Sequence, residues 1–153
     1  MMKLQLVKPL FLLASTVILF GCSNADTDNV SFPDRSMQPC QEKPNCVSTV
    51  DKREEYHLAD FVLNEAGLNN WQFITQQALS LPGASLGSQS DDYIRVECRS
   101  RVFKFVDDFE VRRQDKQLIV RSESRVGYSD FGVNRKRAEL FRSKLSEAGY
   151  IKP

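Results

Sequence analysis

One histidine, one tryptophan, three methionines and four cysteines are all that the 153-residue chain holds of those types. A single imidazole, His57, leaves little room for a serine–histidine relay. No cysteine pair has zinc-finger spacing, so no metal site is expected. Charge of one sign is lacking as well. The 21 Lys+Arg stand against 20 Asp+Glu, a formal net charge of +1, which argues against a dedicated nucleic-acid binder. No apolar run reaches the length of about 20 residues that a membrane span needs. GxGxxG, a Walker lysine and a nucleophile elbow are absent, and with them the common nucleotide and acyl-transfer signatures. What remains is 41% hydrophobic and 27% charged, the composition of one globular domain with a real core.

The N-terminus reads as a targeting segment. Lys3 and Lys8 supply a positive start, and Leu10 to Phe20 is an apolar run broken only by Ser15 and Thr16. That is the length of a signal-peptide core. The run ends in Leu19-Phe20-Gly21-Cys22, which resembles a bacterial lipobox. The resemblance implies cleavage before Cys22, acylation of that cysteine, palmitate included, and anchoring of a mature lipoprotein in the cell envelope. Ser23, rather than Asp, implies the periplasmic face of the outer membrane. An ordinary secretory signal with an incidental cysteine is the alternative. The expected organisation is a signal peptide over 1–21, a lipidated flexible tether over 22–38, rich in Ser, Asn, Asp, Thr and Pro, and a single domain over 39–153.

Within that domain, Tyr56 to Leu63 reads as a short strand. A helix runs from an Asn69 or Asn70 cap to about Leu81, with Trp71, Ile74, Ala78 and Leu81 on one face. Leu81-Pro82-Gly83 stops it, and Ala84 to Asp92 reads as a loop. Three strands follow. Ile94, Val96, Cys98 and Val102 alternate with Arg95, Glu97, Arg99 and Arg101. Phe103, Phe105, Phe109 and Val111 share a face of the second. Leu118 and Val120 alternate with Ile119, Arg121, Glu123 and Arg125 in the third, after a Gln114-Asp115-Lys116 turn. The last helix covers about Asn134 to Ala148, with Leu140, Phe141, Leu145 and Ala148 as its buried stripe and Gly149 ending it. The order β-α-β-β-β-α predicts an α+β two-layer sandwich, an antiparallel sheet with two helices on one face.

Cys40 and Cys46 flank a Pro44-Asn45 turn and are the natural disulfide pair in an oxidising envelope. A reactive thiol at Cys46 is the alternative, without a neighbouring His or CxxC to support it. Cys98 shares a face with Ile94 and Val96 and is expected to be a buried, inert thiol. The residues call for no cofactor.

Charge is segregated along the neutral chain. Residues 95–142 hold 13 bases and 8 acids; residues 26–65 hold 4 bases and 9 acids. Guanidiniums from Arg95, Arg99 and Arg101 on one strand, and Arg121 and Arg125 on another, crowd together unless carboxylates or a bound anion separate them. Arg135-Lys136-Arg137 in the first turn of the last helix oppose its dipole, so they pair with Asp107, Asp108 or Asp130, or bind an anion at the helix start. Gly127 and Gly132 bracket Tyr128-Ser129-Asp130-Phe131 ahead of that helix. Ser122, Ser124 and Ser129 read as structural hydroxyls rather than nucleophiles.

Three runs, PCQEKPNCVST, VECRSRVFKFVDDFEV and IVRSESRVGYSDFGVNRKR, resemble the uncharacterised family called domain of unknown function fourteen-ninety-nine. The resemblance covers about residues 39–148. It implies no activity. It does imply Asn45, Cys46, Arg99, Ser100, Asp107, Asp108, Arg121, Ser122, Ser124, Arg125, Asp130, Asn134 and Arg137 as site positions.

Three functions compete. The leading one is a lipid-anchored domain that binds a small anionic or polar ligand, or an envelope protein, through Arg99, Ser100, Asp107, Asp108, Arg121, Ser122, Ser124, Arg125, Asp130, Asn134, Arg135 and Arg137. The second is a hydrolase or transferase that uses Asp107 and Asp108 with arginine stabilisers. Neighbours on a strand point to opposite faces, which counts against that pair. The third is a salt-bridged structural network, with function in a surface patch for a partner.

Overall fold

Alternation becomes strand wherever a partner strand lies beside it. The computed structural model describes residues 32–152. The segment expected to be a signal peptide, Cys22 and the expected tether as far as residue 31 lie outside the described residues. Nine elements follow in order: β1 (Cys46–Ser48), β2 (Phe61–Val62), α1 (Glu65–Leu68), α2 (Trp71–Leu79), β3 (Ala84–Gln89), β4 (Tyr93–Arg99), β5 (Val106–Gln114), β6 (Gln117–Ser124) and α3 (Val133–Glu147). Six strands make one open antiparallel sheet in the order β1-β6-β5-β4-β3, with β2 also pairing on β6. With its helices this is an α+β sandwich.

The core forms where the two periods meet. Ile94, Val96 and Cys98 of β4, Phe109 and Val111 of β5, and Leu118 and Val120 of β6 join Ile74 and Ala78 of α2 and Ala138, Phe141 and Leu145 of α3 in one cluster. Phe141 packs edge-on against Phe109, with ring centroids 5.2 Å apart. The Asn70 side chain caps α2 by accepting the Phe73 N–H at 3.2 Å. Pro33–Pro153 forms one compact unit that contains every core residue among the described residues, together with the Cys40–Cys46 disulfide. The unit is therefore expected to fold on this core.

The element order differs from the expected β-α-β-β-β-α. The segment read as a loop holds β3. Its sequence, Ala-Ser-Leu-Gly-Ser-Gln, is poor in β-branched residues and does not alternate, so edge pairing on β4 makes it a strand. A bulge falls at Gly87, where an added Cβ would come 2.8 Å from the Arg95 guanidinium carbon. β1 follows directly on the Pro44-Asn45 turn, where the sequence predicts no strand, and the strand expected over Tyr56–Leu63 shrinks to β2 plus bridges from His57 to Ser48 and from Leu63 to Ile151. β4 and β5 end short of residues 100–105. Phe103 and Phe105 stand exposed in that connection, around Lys104 at φ +58°. In α3, Asn134 and Ala138 are buried, whereas Leu140 and Ala148 face out.

Candidate functional site

The period of two divides the expected Arg/Asp/Ser cluster between the two faces of the sheet. Asp108, Glu97, Arg95, Glu110, Arg121, Glu123 and Arg125 lie on the face away from the core cluster. Asp107, Ser122 and Ser124 lie on the face toward α3.

On the first face the charges pair with one another, although Glu110 Oε2 accepts no hydrogen bond among the described residues. Arg95 Nη1 donates to Asp108 Oδ1 at 2.9 Å and to Glu97 Oε1 at 3.0 Å. Arg125 grips both oxygens of Asp108 at 2.8 Å and Glu97 at 2.6 Å. Arg121, 1% exposed, donates to Glu123 at 2.8 Å. Its Nη1 stands 3.8 Å from Glu110 Oε2. Burial pushes the Asp108 carboxyl up, but the hydrogen bonds of Arg125 and Arg95 outweigh it and hold the group below its usual range. Arg125 and Arg95 do the same for Glu97 against a smaller burial effect. Burial dominates at Glu110 and raises it, despite an Arg35 N–H at 2.9 Å and the Tyr93 O–H at 2.6 Å.

Residues 34–38 lie across this face. Besides the Arg35 backbone contact, the Arg35 guanidinium pairs with Glu123, Gln38 O accepts from Arg121, and Ser36 and Asp34 hold Arg112. The end of the composition-defined tether is thus a strap on the sheet. For Asp108, Arg121 and Arg125 the internal-neutralisation reading of the sequence is the one the geometry supports.

On the α3 face a smaller network forms. Arg137 Nη2 donates to Asp107 Oδ2 at 2.6 Å and its Nη1 to Ser122 Oγ at 3.0 Å. Ser122 donates to Asn134 Oδ1 at 2.6 Å, and Asn134 Nδ2 donates to Ser124 Oγ at 3.0 Å and to Asn45 O at 2.9 Å. Ser122 is therefore held as a buried structural hydroxyl. Asp130 takes the helix start for itself: its two oxygens accept the N–H groups of Gly132 at 2.9 Å and Asn134 at 2.7 Å. That carboxylate offsets the three cations of the first turn. Arg135 turns away and donates to the carbonyls of His57 and Glu55. Among the described residues, no group of three or more His, Cys, Asp or Glu is arranged to hold a metal ion. Burial pushes the Cys98 thiol up to about 11, which keeps it protonated and unreactive.

Beside this network opens a cleft of about 410 Å³. Arg99, Ser100 and Arg101 come from the end of β4, Asp107 from β5, and Val133, Lys136, Arg137 and Leu140 from α3; Pro82 and Gly83 close the far wall. Of the expected site residues, Arg99, Ser100, Asp107 and Arg137 meet here. Among the described residues, Arg99, Arg101 and Lys136 have no carboxylate within ion-pair distance, and Asp107 is already engaged by Arg137. Sequence reasoning passed over Gly83 and Leu140 as parts of a site. Gly83 carries the clearest signal. Its φ is +72°, and a Cβ there would come 2.2 Å from Arg99 O, so only glycine allows the α2–β3 turn to pack on the base of the cleft.

The described residues contain no helix long and apolar enough to cross a membrane. No curated protein and no solved structure matches the chain. A family model described as "Protein of unknown function (DUF1499)" matches residues 36–145, a span that takes in most of the strap, the buried ion network and every residue of the cleft, and the chain belongs to that family.

Proposed function

We propose that the cleft binds a small anion that carries an apolar portion. The observation that supports this is an excess of cations on one concave surface. Among the described residues, Arg99, Arg101 and Lys136 line it without a carboxylate partner, Arg99 donating only to the Lys104 carbonyl, against one carboxylate, Asp107, that is spent on Arg137. Guanidiniums at the end of a strand suit a carboxylate or phosphate. Val133, Leu140 and Pro82 suit a short hydrocarbon beside it. Asp107 and Asp108 sit on opposite faces, so a paired-carboxylate hydrolase or transferase lacks its pair. We read the domain as held in the cell envelope through Cys22 on the periplasmic face of the outer membrane, with α2 and α3 sharing one face of the sheet.

The test is thermal melting of the unit Pro33–Pro153 with inorganic phosphate, octyl phosphate and octanoate. A ligand at about 100 times its dissociation constant adds about 2.7 kcal/mol of stability. Octyl phosphate or octanoate should raise the melting temperature, and Arg99→Ala with Lys136→Ala should abolish the rise. No rise with any of the three anions sinks the reading.

A further inference from the structure

Two loops meet at one end of the sheet. Residues 100–105 join β4 to β5, and residues 125–132 join β6 to α3. Their bases are tied by the Arg125 N–H to Val106 O at 3.2 Å and by the pairing of Asp107 with Ser124. Together they expose Val102, Phe103, Phe105, Val126, Tyr128 and Phe131. Phe131 is 90% exposed, Phe103 74% and Tyr128 71%. Phe103 and Phe105 stack with ring centroids 5.7 Å apart. Apolar side chains scattered singly on a surface need no explanation; six on two adjacent loops do.

The backbone favours display. Phe131 has φ +54° and Lys104 φ +58°, left-handed values that glycine adopts freely and a bulky aromatic rarely does. Each loop holds a strained non-glycine residue, one an aromatic and one a cation between two aromatics. Strain of this kind persists where the displayed side chain has a use.

Charge narrows the occupant. The first loop carries Arg101 and Lys104 and no acid, and Arg99 and Lys136 stand at its flank. The second loop carries one acid, Asp130, whose oxygens are turned to the helix start. The free charge on the two loops themselves is therefore positive, with Glu55 the acid that borders the second. The apolar groups are protruding tips rather than a groove, so they suit a surface that yields to insertion.

We propose that this end of the molecule docks on an anionic lipid bilayer, with the aromatic tips entering the headgroup region and Arg99, Arg101, Lys104 and Lys136 meeting lipid phosphates. This contact is non-covalent and separate from any acyl anchor. It goes beyond the cleft reading and does not need it.

The test is co-sedimentation of the unit Pro33–Pro153, free of leader and acyl chain, with phosphatidylcholine vesicles that contain or lack phosphatidylglycerol. Binding is expected to the anionic vesicles, to fall as salt screens the cations, and to be weak on phosphatidylcholine alone. Phe131→Gly removes the ring and relieves the backbone, so this variant should melt no lower than the parent yet bind severalfold more weakly. Lys104→Gly should behave alike. No binding to anionic vesicles, or undiminished binding by Phe131→Gly, overturns the proposal. So does a dimer in solution that Phe131→Gly dissociates while vesicles go unbound, since the tips then serve a second copy. Phe131 is outside the cleft, so octyl phosphate binding should persist in Phe131→Gly. Loss of one activity without the other therefore tells which reading has failed.

Discussion

Asp107 and Asp108 are consecutive in β5 and bind on opposite sides of the sheet. Asp107 Oδ2 takes Arg137 of α3 at 2.6 Å, and Asp108 takes Arg95 and Arg125 at 2.8–2.9 Å on the strapped face. One carboxylate borders an open cleft; the other is buried, 3% exposed, at the centre of an ion network. Their substitution should separate function from stability.

Asp108→Ala leaves Arg95 buried beside a weakened set of partners, and breaking a buried pair of this kind costs about 3–5 kcal/mol. Asp107→Asn keeps an acceptor for Arg137 and should cost only about 1 kcal/mol. It also adds a net positive charge to the cleft, so octyl phosphate should bind it more tightly than the parent. Denaturant melts and anion titrations of the two variants check both halves.

Two carboxylates on the strapped face should titrate in opposite senses. Asp108 is held below its ordinary value of 3.8, so its contribution is complete above that pH and is lost as pH falls through the lowered value. Glu110 is raised above 4.5, so its contribution is present below 4.5 and is lost as pH rises through the raised value. Stability measured against pH should show Asp108→Asn flattening the acid limb. Glu110→Gln should flatten the decline above pH 4.5.

Gly83→Ala places a methyl in a left-handed turn and 2.2 Å from Arg99 O. A shift of β4 is unavoidable, at a cost of about 1–3 kcal/mol. Because Arg99 lines the cleft, the variant should also bind octyl phosphate more weakly, which calorimetry would measure. Unchanged anion binding would detach Arg99 from the site.

A chain that starts at Cys40 lacks the strap. Arg121, Glu110 and Glu123 then lose Gln38 O, the Arg35 N–H and the Arg35 guanidinium, and water reaches the network. Water replaces part of what is lost, so a destabilisation of about 1–3 kcal/mol is expected relative to a chain starting at Pro33. Equal stability of the two would show the strap to be ornamental.

Replacing Cys40 and Cys46 with serine opens a link between residues six apart. Closing so short a loop stabilises by about 2 kcal/mol through chain entropy, and the double variant should melt correspondingly lower without change in vesicle binding.

Much of the fold was legible in local pattern. The alternation at Ile94, Val96 and Cys98 and at Leu118 and Val120 announced strands with one covered face, and the Asn70 cap and Gly83 stop announced α2. The Cys40–Cys46 pair followed from its turn. β3 was not legible, because its Ser-Leu-Gly-Ser run becomes a strand only by borrowing the hydrogen bonds of β4. The candidate cleft was legible only in part. Arg99, Ser100, Asp107 and Arg137 were marked and do meet, but Asp108, Arg121 and Arg125 were marked with them and lie across the sheet.

The amino-acid order alone determined which residues are strand-forming, which are cationic, and that neighbours in a strand must part to opposite faces, since the pleat repeats every two residues. Tertiary structure decided which arginine meets which carboxylate. Arg35 and Glu123 are 88 positions apart, and Arg137 and Asp107 are 30 apart. No local period reaches that far. Those partners are chosen by strand register and by where α3 and the strap come to rest, because a buried charge must find its counter-charge in space.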